Sequence, residues 1–80
     1  MDDKSILSHI HELVTEERDL RSRHVGDGLD EPGRERLHRV GIELDQAWDL
    51  LRQRRAKAEF GDDPDNAETR PPDEVETYLQ

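Results

Sequence analysis

Four histidines, one tryptophan and a run of four cations are the residues of this chain best suited to chemistry or recognition. His9 and His11 stand two apart. On a helix that spacing points them about 200° apart, so the pair cannot hold one metal. His24 and His38, with Glu17, form the one constellation that folding could gather into a metal or acid–base site. Ordinary surface or boundary histidines are the competing reading. Arg52, Arg54, Arg55 and Lys57 lie in the same amphipathic stretch as Trp48, four to nine residues after it, with no acid among the four. Such a run suits an acidic partner, RNA, or an acidic segment of the same chain. Cations also simply favour a helix C-terminus.

Other chemistry finds no support. Cysteine is absent, which removes disulfides, thiolate zinc and a thiol nucleophile. No Ser-His-Asp spacing, phosphate loop or dinucleotide fingerprint occurs, and Gly26-Asp27-Gly28 is too short to count as one. The expectation is a non-enzymatic protein with no cofactor and no metal site.

These residues must be positioned by a small scaffold. Eighty residues make one domain at most, with a modest core. Only 17 residues are Ile, Leu, Val or Phe and 41% are charged, close to where chains stop folding alone. The apolar residues are placed regularly up to residue 60, which favours folding there. Residues 61–80 carry seven acids and one base, two thirds of the net charge of −9. Phosphate binding depends on cations, so nucleic-acid contact would have to be confined to the basic run. The N-terminus opens into a charged stretch, and no segment approaches a membrane span. The chain is expected to be soluble and cytoplasmic, with no membrane contact.

The periodicity predicts an all-α fold, an antiparallel two-helix hairpin. Residues 3–24 form the first helix, with Asp2 or Asp3 as cap and Ile6, Ile10, Leu13 and Leu20 on one stripe. Glu17 interrupts that stripe and could pair across the hairpin with Arg34 or His38. Glu17→Arg21 and Asp19→Arg23 are favourable pairs along the helix. Residues 25–30 are the loop. A second helix covers 31–60, with Leu37, Val40, Leu44, Ala47 and Leu51 on its stripe and Trp48 beside them. Trp48 is expected in the core, with an interface anchor as the alternative. Gly41 could admit a facing backbone, and Gly61 should end the helix. About Arg52 to Phe60 should overhang the shorter first helix, leaving the basic run exposed.

Residues 61–80 are read as an acidic, mostly irregular tail with a short helical turn near 73–79. It could fold back on the basic overhang, helped by Tyr78 and Leu79, because exposed ion pairs alone hold weakly.

The stretch Leu44–Lys57, with the ending Arg70-Pro71-Pro72-Asp73-Glu74-Val75-Glu76-Thr77-Tyr78-Leu79-Gln80, resembles short uncharacterised proteins of high-GC Gram-positive bacteria grouped as a domain of unknown function. The resemblance covers essentially the whole chain. It implies that the tail belongs to the protein, and it brings no activity or site. Ala47 stands where many members would carry Cys, which argues against a required thiol.

The functional expectation is a protein–protein interaction module, acting as a homodimer in a four-helix bundle or as an accessory subunit. Its contact residues would be Trp48, Arg52, Arg54, Arg55, Lys57, Tyr78 and Leu79. The alternative is a nucleic-acid or ribonucleoprotein binder using Arg52–Lys57, gated by the acidic tail.

Overall fold

A computed structural model describes the backbone of residues 2–26 and 30–79 and the side chains of residues 2–23 and 30–75. Helix α1 covers Asp3–Gly26 and α2 covers Glu31–Glu59. A 3₁₀ turn at Pro64–Asn66 and helix α3 at Pro72–Leu79 follow. The described residues include no strand, and the fold is the expected all-α hairpin.

Helix ends are set locally. The Asp2 carboxylate accepts from the Ser5 N–H at 2.8 Å, so Asp2 caps α1 and Asp3 is left for other work. Asp30 accepts from the Gly33 N–H at 2.9 Å, with Pro32 in the first turn of α2. At the other end Gly61 takes φ 81°. The Asp62 N–H then reaches the Lys57 carbonyl at 2.7 Å and the Gly61 N–H the Ala58 carbonyl at 3.3 Å. This paired closure satisfies orphan carbonyls and turns the chain sharply.

One seam holds the hairpin. Ile6, Ile10, Leu13 and Leu20 of α1 bury against Val40, Leu44, Ala47 and Leu51 of α2, with Val14, Leu37 and Leu50 at its margins. Burial of a side chain of this size contributes about 1.5–3 kcal/mol. Glu17→Arg21 and Asp19→Arg23 form as expected, at 3.6 and 2.7 Å. The acid that crosses the hairpin is Glu16, bound to Arg36 through both carboxylate oxygens. Glu17 stays on its own helix because the crossing position lies one residue earlier on the helix surface.

The tail is more ordered than its composition suggests. After Gly61 it runs back along α2 as a strap. The 3₁₀ turn sits at Arg54, the carbonyls of Glu68 and Arg70 lie over Gln53 and Gln46, and α3 packs on α2 with Val75 fully buried. Arg54 also reaches Asp3 at the start of α1, so the overhang expected from Arg52 begins only beyond Arg54. The molecule measures 50 × 25 × 17 Å.

Candidate interaction surface

The burial pattern inverts two sequence expectations. Trp48 is 41% exposed, whereas the polar Asp49 is 1% and Arg54 is 8% exposed. Trp48 is therefore not hairpin core. The seam runs through Ala47, and one residue further turns about 100° around the helix, out of the seam. Ile6 and Ile10 fill the space opposite. Arg54, expected on the exposed basic run, points into the junction of α1, α2 and strap. Its guanidinium donates to Asp3 at 2.6 Å and to Asp65 at 2.9 Å, with the Pro64 carbonyl at 3.2 Å. These carboxylates raise its pKa above the ordinary guanidinium value, Asp3 contributing most.

The remaining cations scatter around α2. Arg52 and Arg55 are exposed and Lys57 is partly buried. Helical phase places Arg52 and Arg55 on the side of Trp48, and Lys57 on the other. On α1 the same phase, anchored by the Glu16–Arg36 crossing on the opposite side, brings Leu7 and Val14 to the Trp48 edge. Leu7 is 42% exposed. Arg18, also exposed, lies a turn along from Val14. The edge thus carries Leu7, Val14 and Trp48 with Arg18, Arg52 and Arg55 around them, and the same phase adds the exposed acids Asp45 and Glu59. Tyr78 and Leu79 belong to α3 by backbone, but their side chains lie outside the described residues.

The strap is locked by an ion pair that is absent from the sequence expectations. Asp49 lies on the face of α2 turned away from α1, where an aspartate would ordinarily meet water. Arg70 closes over it, Nε to Oδ2 at 2.9 Å with its second nitrogen on Oδ1, and Gln53 adds a bond at 2.9 Å. The two-pronged Arg70 bond holds the Asp49 carboxyl below its ordinary pKa, against the opposing effect of burial. Gln46 and Gln53 donate to the Arg70 and Glu68 carbonyls at 3.1 and 2.9 Å. Two signals were present in the sequence. Gln46, Asp49 and Gln53 form a polar stripe at helical spacing, and Arg70 is the sole base among residues 61–80.

Glu17 and His38 line one open cleft with Gly41 and Asp45, while the His24 side chain lies outside the described residues. No group of three His, Asp or Glu that could hold a metal occurs among the described residues. A Cβ placed on Gly41 would meet no atom within 4 Å. Gly41 therefore faces open space, and the expected close approach of a backbone does not occur. No helix among the described residues is long and apolar enough to cross a membrane.

Residues 2–80 match the family described as "Protein of unknown function (DUF2630)", and the chain belongs to it. It is 49% identical over 77 residues to an uncharacterised protein of Mycobacterium bovis and to one of Mycobacterium tuberculosis. In each case the match covers 95% of this chain and 88% of the relative. No solved structure matches the chain.

Proposed function

We propose that this DUF2630 chain is a small non-enzymatic interaction module, an accessory subunit whose docking edge is centred on Trp48. The observation that carries this reading is the inversion at Trp48. A chain with one Trp and few apolar residues leaves that Trp 41% and Leu7 42% exposed, while burying Asp49 and Arg54. Aromatic and arginine side chains together are what interface centres favour.

The partner's chemistry follows from the edge. Leu7, Val14 and Trp48 make a short apolar strip between two helices, which an amphipathic helix can fill. Arg18, Arg52 and Arg55 call for acidic residues flanking that helix. A nucleic-acid reading would rest on Arg52, Arg55 and Lys57, with Arg54 engaged by Asp3 and Asp65.

The test is photo-cross-linking in the native cell with a photoreactive phenylalanine replacing Trp48, and Arg39 as an exposed control position on the same helix. A discrete adduct at position 48, lost when Arg52 and Arg55 are changed to Glu, is expected. Equal labelling at both positions, or none at 48, rejects the reading.

A further inference from the structure

Phe60 is the most exposed large apolar residue of the described structure, at 82%, and nothing in the Trp48 edge accounts for it. It sits at the C-terminal end of α2, directly before Gly61, where the chain reverses to begin the strap. Every described contact of the strap lies beyond this single turn. The strap is also held largely by polar groups. Arg70 and Asp65 have side chains 38% and 74% exposed, and Val75 is its one fully buried apolar residue among those described. Such a segment leaves its seat more readily than a core element.

We propose that the outer face of α2 is a binding face for an extended segment and that its second ligand, after the chain's own strap, is the strap of another copy. Gln46 and Gln53 read backbone carbonyls two residues apart, Asp49 reads an arginine, and Arg54 reads an aspartate five residues before it. A second copy carries this pattern by identity. Two copies meeting at the C-terminal ends of α2, with the turn at Gly61 opened, exchange straps and keep all the strap contacts. Phe60 of each copy then lies at the two-fold axis and covers the other. The exchange supplies a partner for Phe60 that the monomer lacks. It is independent of the Trp48 edge, which faces away from the strap.

The tether holds each strap at an effective concentration near the millimolar range. Wild-type chain is therefore expected to shift from monomer toward dimer by sedimentation between about 10 µM and about 1 mM. Phe60→Ser should weaken that dimer about tenfold, without disturbing the monomer, while Trp48→Ala should leave it unmoved. A monomer throughout the range overturns the proposal. So does a dimer that responds to Trp48→Ala and ignores Phe60→Ser, which would place self-association on the other edge.

Charge reversal gives the sharper arm. Asp49→Arg alone and Arg70→Asp alone put like charges together in each chain and in each homodimer. Mixed, the two variants restore both pairs only across an exchanged heterodimer. The mixture should regain resistance of the strap to proteolysis, and neither variant should show it alone. A mixture that stays as sensitive as its components, while the single chain carrying both reversals is protected, overturns the proposal.

Discussion

Removing Arg70 should harm this protein more than removing Asp49, although the two form one ion pair. Asp49 is 1% exposed, whereas the Arg70 side chain is 38% exposed. Arg70→Ala leaves a carboxylate under the strap with Gln53 as its remaining described hydrogen-bond donor. Asp49→Ala leaves a guanidinium that can turn into water. Breaking a buried pair costs about 3–5 kcal/mol when the orphaned charge stays buried. Partial exposure of the pair places Arg70→Ala near the lower bound, about 3 kcal/mol, and the strap can limit the loss by lifting away. Asp49→Ala should cost about 1 kcal/mol, the size of an ordinary hydrogen-bond loss. Replacing both together, Asp49→Leu with Arg70→Met, removes the charges as well as the pair and should recover most of the stability.

Acidification probes the same pair. In the native chain the Asp49 pKa lies below its ordinary value because Arg70 holds the ionised form. The pair's contribution is therefore complete at neutral pH and is lost only as pH falls from the ordinary carboxylate range through the lowered value. In Arg70→Ala the buried carboxyl prefers its proton, so the penalty of that variant should shrink on acidification. Urea unfolding of the four chains at pH 7 and pH 4, with strap proteolysis in parallel, measures both effects. Equal costs for the two single variants, unchanged between the two pH values, would refute the reasoning.

Gly41→Ala should stabilise the protein by about 1 kcal/mol, since a helical glycine is replaced where the added methyl meets nothing; thermal melting would show a rise of about 4–8 °C. Gly61→Ala should cost about 1–2 kcal/mol by urea unfolding, because its φ of 81° strains any residue with a Cβ, although the space is open. Leu51→Ala, at a position 1% exposed in the seam, should lose about 2–5 kcal/mol in the same assay. Conservative exchange of Gln46 or Gln53 for Leu should leave the hairpin melting transition nearly unchanged and speed cleavage within residues 62–70, because each removes a bond to a strap carbonyl.

The hairpin could be read from the chain because its signals are local. Ile6, Ile10 and Leu13 on one helix and Val40, Leu44 and Leu51 on the other repeat at helical spacing, and Asp2, Asp30 and Gly61 carry the chemistry of helix ends. Hydrophobicity alone suggests burial of Trp48. Its phase, one step past the seam, sends it outward. Arg54 departs from its expected exposure for a related reason. Its neighbours Arg52 and Arg55 are exposed, and a linear basic run conceals that the middle residue turns inward. The Asp49–Arg70 lock spans 21 residues and joins an acid on the helix to a base in an acidic tail. Net charge suggests the reverse arrangement, a base on the helix with an acid in the tail, as at Arg54 and Asp65.

A docking edge at Trp48 requires that residue to lie outside the core. Because it is the sole tryptophan, its fluorescence reports on that position alone. In the dilute monomer the emission should be red-shifted, and acrylamide should quench it readily, with little change when Phe60 is replaced by Ser. Blue-shifted emission shielded from acrylamide would place Trp48 in the seam and contradict the proposed docking edge.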